Sequence, residues 1–192
     1  MFTLGNKPPS SVVVDGTEYR LFLEFDNVLN LFDLFNDTEL EKEEKFFIAL
    51  KILFDDDEIE HLYDDLEYLE KLLTLVIDEF ITMDSNKNQL TDILGNPIEL
   101  PEEEQEEKEK VYDLKQDAEY IYASFMQDYH IDLHSQLGIM HWHTFQALLN
   151  GLSENTRFMK VIEIRQMELP TGKGSQKERE RIKKLKQQYK LN

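Results

Sequence analysis

Four histidines lie close together in the chain and are the residues best suited to metal chemistry. His130 and His134 are four residues apart, a spacing that places two imidazole rings on one face of a helix. His141 and His143 are two residues apart, which suits neighbouring ligands on a strand. Neither pair completes a zinc motif, and no glutamate directly follows His130 as in the helical metalloprotease pattern. We therefore expect no metal site, and predict that one or two of these rings hydrogen-bond locally in a packed corner of the protein.

The remaining catalytic groups give no pattern that indicates an enzyme. The chain contains no cysteine, which excludes disulfides, thiolate nucleophiles and cysteine-bound zinc. Its 40 aspartates and glutamates are so frequent that pairs at any spacing arise by chance, and they identify no acid–base dyad. Neither the glycine spacing of a phosphate loop nor the Gly-x-Ser-x-Gly of a hydrolase occurs. We predict no catalytic residue, no cofactor and no enzymatic activity.

The net charge of −19 is distributed unevenly along the chain. Residues 1–156 carry 10 basic and 36 acidic side chains, a net charge of −26, whereas residues 157–192 carry 11 and 4, a net charge of +7. The acidic part repels phosphate backbones and anionic lipid surfaces, so we expect neither nucleic acid nor a membrane as partner. We see no signal peptide and no apolar run of the roughly 18 residues that a membrane span needs. A location in the cytoplasm follows as an expectation.

Hydrophobic periodicity predicts a mainly α protein, a single helical domain with a short N-terminal β-hairpin and a basic C-terminal helix. A β-branched run meets Asp15-Gly16, the favoured pair for a two-residue hairpin turn, and we place this hairpin at residues 11–24. Beyond it, apolar residues recur at steps of three and four, which predicts helices in both halves of the chain.

Capping residues predict where several of these helices begin and end. Asp26 is positioned to cap the first helix, and Thr38, followed three residues later by Glu41, has the capping-box pattern. Gly151 is placed to end the short helix that contains the only tryptophan, and Ser153 to cap the next one.

Two segments differ in composition from the predicted helices. Residues 83–110 combine turn residues with an acidic run, and we interpret them as an exposed acidic loop inside a domain of residues 1–172. Residues 173–192 form a basic helical tail, in which Ile182, Leu185 and Tyr189 lie on one face. Such a tail either folds back onto its own acidic domain or stays solvated, or else it reaches an acidic partner. If the tail reaches a partner, those three side chains are the candidate partner-binding residues.

Three stretches together resemble a known family. They are residues 125–133 with Tyr129 and Asp132, residues 140–152 with His141 and Trp142, and residues 161–165 ending in Arg165. This combination is similar to the bacteriophage "gp-fifteen" family of siphophage tail-module proteins from Gram-positive hosts. The resemblance covers nearly the whole chain and is weakest over residues 83–110.

The resemblance implies a tail assembly chaperone, encoded just ahead of the tape measure protein. Such chaperones are acidic, mostly helical and absent from the mature virion; they bind the tape measure protein and help to recruit tail tube subunits. The expected partners are therefore the tape measure protein and the tail tube protein, in the host cell cytoplasm, and self-association stays open. The resemblance supplies no binding site. For the matching residues we expect structural roles, with Trp142 as a core anchor and Asp132 paired with Arg165.

Three alternatives to the chaperone remain open. The first is an acidic mimic of DNA, or another phage protein that binds a host factor; the charge fits a mimic, but the basic tail does not. The second is a structural tail component, which would be present in mature virions. The third is a metal-dependent enzyme built on the four histidines.

Overall fold

The computed structural model describes residues 4–82, 111–171 and 175–191, so the acidic loop predicted at residues 83–110 lies outside the described residues. Strands β1 (Ser11–Val14) and β2 (Thr17–Arg20) pair antiparallel. Asp15 and Gly16 both have positive φ, 50° and 82°, as a primed hairpin turn requires. The predicted hairpin is confirmed, but its second strand ends at Arg20 because the following residues bridge to other parts of the fold.

Within the described residues, eight α-helices and three shorter helical segments follow the hairpin, which confirms the mainly α single domain. The α-helices are α1 Phe25–Asn36, α2 Lys42–Leu53, α3 Asp56–Ile59, α4 Leu66–Val76, α5 Ala118–Tyr129, α6 Trp142–Asn150, α7 Arg157–Gln166 and α8 Gln176–Gln188. The shorter segments are the 3-10 turns Glu60–Leu62 and Leu133–Gln136 and the π-helical segment Ile77–Ile81. In this described part, no helix has the length and apolar character needed to cross a membrane.

The helices pack in a continuous order, α2 on α1, α1 on α6, α6 on α5, α5 on α7 and α7 on α8. Buried side chains form one cluster that extends from the hairpin to α7. Trp142 at the start of α6 is fully buried in this core, and its Nε1–H donates to the Ile81 carbonyl at 3.1 Å. The indole therefore holds α6 against the π-helical segment that follows α4.

Two of the predicted helix starts were wrong because other groups occupy the capping positions. The residue before α1 is Glu24, and the Asp26 carboxylate instead accepts the Gly138 N–H at 3.0 Å. Helix α2 is capped by Glu41 with Glu44 three residues on, one turn later than the predicted box at Thr38.

The region between α6 and α7 gives one correct and one wrong prediction. Helix α6 ends at Gly151, as expected. The side chain that caps α7 is Thr156 rather than Ser153, and the Ser153 N–H donates to Asp128 at 2.8 Å. The helix therefore starts three residues later than the sequence indicated.

Candidate partner-binding groove

The four histidines do not surround one site: His130 and His134 lie on separate elements, and His141 and His143 lie together at the start of α6. His130 ends α5 in the left-handed region (φ 55°), with Nδ1 3.2 Å from the Met126 carbonyl oxygen. His134 lies in the following 3-10 turn, with its ring centroid 5.0 Å from that of Tyr122. No group of three histidines, aspartates or glutamates arranged like metal ligands occurs in the described ranges.

His141 and His143 form a local pair at the start of α6. The His141 Nδ1 accepts the His143 N–H at 3.1 Å, and its Nε2 lies 3.1 Å from the Pro9 carbonyl oxygen. The ring is therefore neutral with its proton on Nε2, the tautomer that serves both contacts. Burial lowers the pKa of His141, and burial together with the neighbouring His141 lowers the pKa of His143. The His141 ring therefore caps α6 and attaches the N-terminal segment, whereas the buried Nδ1 of His143 has no hydrogen-bond partner among the described residues.

Tyr129 and Asp132 hold the connection between α5 and α6. The Tyr129 hydroxyl donates to the Leu148 carbonyl at 2.8 Å, and a Cβ at Gly151 would lie 3.0 Å from that hydroxyl oxygen. Asp132 accepts the His134 N–H at 2.9 Å and the Tyr122 hydroxyl at 3.1 Å, and the second bond raises the Tyr122 pKa. Both residues make structural contacts.

Arg165 forms a buried ion pair, but with a different partner from the one expected. Its NH1 and NH2 donate to the two carboxylate oxygens of Asp117 at 2.6 and 2.7 Å, and the two side chains are 8% and 0% exposed. The guanidinium also donates to the carbonyls of Val111 and Tyr189. The predicted Asp132–Arg165 pair is therefore wrong. Asp117 is 48 residues from Arg165, and no local spacing marks it among 40 carboxylates.

The basic tail is folded back onto the domain over residues 175–191. Ile182 is buried and Leu185 is half-buried, while α8 packs on α7. The Arg157 guanidinium donates to the Tyr189 hydroxyl at 2.9 Å and lies 5.5 and 5.6 Å from the ring centroids of Tyr120 and Tyr189. In this conformation, the three side chains named as a partner-binding face are at least half covered by the rest of the protein.

An open apolar groove of about 450 Å³ lies between α1, α5, α6 and the 3-10 turn Leu133–Gln136. Its floor is Phe145, whose ring stacks on those of Phe25 and Phe125 at centroid distances of 5.1 and 5.4 Å. Glu119, His134 and Tyr122 are its ionisable lining residues, and the others are Phe25, Leu29, Leu114, Ala118, Ile121, Leu133, Leu137 and Phe145. A cavity of this size and lining is typical of a site that takes apolar groups.

The loop after the 3-10 turn forms one rim of the groove and is held in place by backbone hydrogen bonds. Leu137 lines the groove although it is 51% exposed, and Ile139 beside it is 70% exposed. Between them, Gly138 adopts φ +67° and donates its N–H to Asp26. The Met140 carbonyl then accepts the Phe25 N–H at 2.9 Å. The rim is therefore built before any partner arrives.

No pattern in the sequence predicted this groove. The available signal was the pair of apolar residues, Leu137 and Ile139, on either side of a loop glycine. Whether such residues face the core or solvent depends on how four separate segments meet, which periodicity does not reveal.

The family comparison agrees with the resemblance of the sequence motifs. The family described as Bacteriophage Gp15 protein matches residues 4–191 of the chain. No match was found among curated proteins, and none among solved structures. Since the family match covers nearly all of the sequence, the chain belongs to the Bacteriophage Gp15 protein family.

Proposed function

We propose that this phage protein is a tail assembly chaperone. In this proposal it binds the tape measure protein, the tail tube subunits or both in the cytoplasm of the host cell, and is absent from the mature virion. The observation that carries the proposal is the preformed apolar groove between α1, α5 and α6. A protein that protects apolar client segments needs such a surface, and the groove leaves it open without exposing the core.

The charge of the chain supports the same role. A long apolar client aggregates unless its partner keeps the complex soluble, and a net charge of −19 supplies repulsion between complexes. The groove lies in the part of the chain that carries the negative charge, because all of its lining residues fall within residues 1–156. Client binding and charge repulsion thus reside in the same region.

The proposal assigns binding rather than catalysis to the protein. Arg165 and Asp117, a buried charged pair, are fully occupied in joining α5, α7 and α8. The His141 ring is used in capping α6 and holding the N-terminal segment. These ionisable groups therefore have structural tasks.

Co-expression with the tape measure protein of the same phage tests the proposal. We expect the two proteins to co-purify and the client to stay soluble, and a variant lacking residues 173–192 shows whether the basic tail takes part. An insoluble client with no complex at low or moderate salt would refute tape measure binding. The same purification repeated with the tail tube protein tests the second client.

Mass spectrometry of mature virions separates the chaperone from a structural tail component. We expect the protein in lysates of infected cells and not in purified tails. Its presence in tails at the level of a structural subunit would overturn the chaperone role. Binding to a host DNA-binding protein that is competed by DNA would instead identify a DNA mimic.

A further inference from the structure

We propose that the groove binds the apolar face of an amphipathic helix that carries a lysine or arginine at its flank, and that Glu119 pairs with this cation. The identity of the protein that supplies the helix rests on the proposed function. The chemistry of the helix follows from the groove itself.

The lining of the groove favours a helix over an extended strand. Every lining residue belongs to an α-helix, to the 3-10 turn or to the short segments that lead into and out of these elements. Neither hairpin strand contributes, so no strand edge is present there to pair with an extended peptide. An amphipathic helix instead inserts side chains from successive turns into an apolar groove. A volume of about 450 Å³ takes a few such side chains.

Charge complementarity determines whether basic or acidic residues flank the bound helix. Glu119 is an exposed lining residue, and it makes no ion pair within residues 4–82, 111–171 and 175–191. The nearby Lys115 is already paired with Asp33 at 2.9 Å and leaves Glu119 available. The net charge of −26 over residues 1–156 attracts cationic segments at long range and repels acidic ones. A basic flank is therefore recognised and an acidic flank is rejected.

The rigid construction of the groove favours this binding mode. The stacked floor around Phe145 and the hydrogen-bonded rim at Gly138 leave few side chains to order when a helix enters. A preformed site of this kind binds with a lower entropic cost than one that must be assembled. The groove side of the interface is therefore already in place when the helix arrives.

Fluorescence anisotropy with the full chain and three labelled peptides tests the proposal. The first peptide is an amphipathic helix of about 18 residues, with leucines on one face and lysines at both ends. The second carries glutamates in place of the lysines, and the third has a central proline that prevents a continuous helix. We expect the first to bind, and each of the others to bind roughly tenfold more weakly or worse. Equal binding of all three peptides, or of none, would overturn the proposal.

Two substitutions in the groove locate the site. Leu137→Glu places a charge at the apolar rim, and Ala118→Trp fills the space from the first residue of α5, which is exposed. Each is expected to weaken binding of the lysine-flanked peptide about tenfold or more. The matched control is Leu66→Glu on α4, because Leu66 is 52% exposed against 51% for Leu137 and lies outside the groove. Binding that survives both groove variants would overturn the proposal.

Glu119→Gln tests the charge recognition separately. It should weaken binding of the lysine-flanked peptide about three- to tenfold, whereas the glutamate-flanked peptide should bind equally well or better. Glu70→Gln, an exposed carboxylate on α4, is the control for the same change in net charge. An equal effect of the two variants would show that only the overall charge matters, and would overturn the role of Glu119.

Failure of the groove proposal is distinguishable from failure of the chaperone role. If the tape measure protein co-purifies with the Leu137→Glu and Ala118→Trp variants as well as with the native chain, the client binds elsewhere and only the groove proposal fails. If the lysine-flanked helix binds the groove while neither client co-purifies, the groove proposal stands and the chaperone role fails.

Discussion

The two sides of α5 are built from opposite kinds of contact. On one side, Ile121 lines the apolar groove and Phe125 stacks on Phe145 beneath it, and the groove stays open to solvent at its rim. On the other side, Asp117 and Ser124 meet α7 through hydrogen bonds, and the Tyr120 ring meets that of Tyr189 edge to face at the end of α8. Directional contacts fix one arrangement, because each donor or acceptor needs its own partner. Apolar surface without such contacts accepts different side chains, which suits a surface left for a partner.

We call the side of α5 that meets α7 and α8 the closed side, and the side that faces the groove the open side. The stability of the protein should be sensitive to single polar substitutions on the closed side and should tolerate substitutions at the rim of the open side.

Arg165→Ala should have the largest effect. It leaves the Asp117 carboxylate buried and unpaired, which costs about 3–5 kcal/mol of unfolding free energy. Urea denaturation measures this loss. Lys71→Ala is the control, since its pair with Glu67 is 72% and 81% exposed and solvent screening leaves it little effect on stability. Similar losses for the two variants would show that the closed side does not depend on its ion pair.

Ser124→Ala should have the next largest effect on the closed side. The Ser124 hydroxyl accepts the Phe158 N–H at 3.0 Å and donates to the Tyr120 carbonyl at 2.6 Å. Its removal leaves a buried N–H of α7 without an acceptor, at a cost of about 1–3 kcal/mol. Ser124→Cys retains a weak acceptor of similar size and should therefore lose less unfolding free energy than Ser124→Ala. A loss from alanine within measurement error would contradict this account.

A fall in pH should destabilise α6 before it destabilises α7 and α8. The pKa of His141 and of His143 is lowered in the folded protein, so the unfolded chain binds more protons below its own histidine pKa of about 6.5. Their contribution to stability is complete above that pH and is lost as the pH falls towards the lowered folded values. Both histidines lie at α6, and residues 157–192 contain none. Hydrogen exchange at several pH values should show protection lost in α6 before α7 and α8.

The double variant His141→Asn, His143→Gln isolates this effect from the titration of carboxylates. Asparagine keeps an oxygen that can cap α6, and neither new side chain titrates. The pH dependence of the unfolding free energy between about pH 5 and pH 7 should become shallower. An unchanged slope would assign the acid sensitivity to other groups.

Leu137→Glu should have the smallest effect on stability. The side chain is half exposed on the open side of α5, so the unfolding free energy should change by about 0.5 kcal/mol or less. Thermal denaturation beside Leu66→Glu provides the comparison. A much larger loss would mean that the rim supports the core, and that the groove is part of the fold rather than a surface left for a partner.

Local signals predicted the elements whose geometry depends on neighbouring residues. Asp15-Gly16 predicted the hairpin because few residue pairs accept two consecutive positive φ angles. The apolar spacing around Trp142, together with Gly151, predicted α6 and its end because both are set within a few turns of one helix. The basic tail was predicted as a helix with an apolar face, and that face meets the domain.

Contacts between distant residues decided what local signals could not. Asp26 is a suitable N-cap by its type, but its carboxylate is taken by an N–H that lies 112 residues away in sequence. Thr38 is a different case, because the capping box of α2 forms between Glu41 and Glu44, three residues apart in the chain. A suitable residue type therefore does not by itself decide which of several neighbouring candidates caps a helix.

The sequence by itself determined the helical class, the hairpin, the uneven charge and the motifs that identify the family, because each is a property of composition or of close neighbours. Only the tertiary structure decided that Arg165 pairs with Asp117 and that an apolar groove opens between α1, α5 and α6. A carboxylate becomes a partner when the fold buries it beside a cation, and an apolar side chain becomes a binding surface when the fold leaves it uncovered. Both outcomes depend on how distant segments meet, which spacing along the chain does not encode.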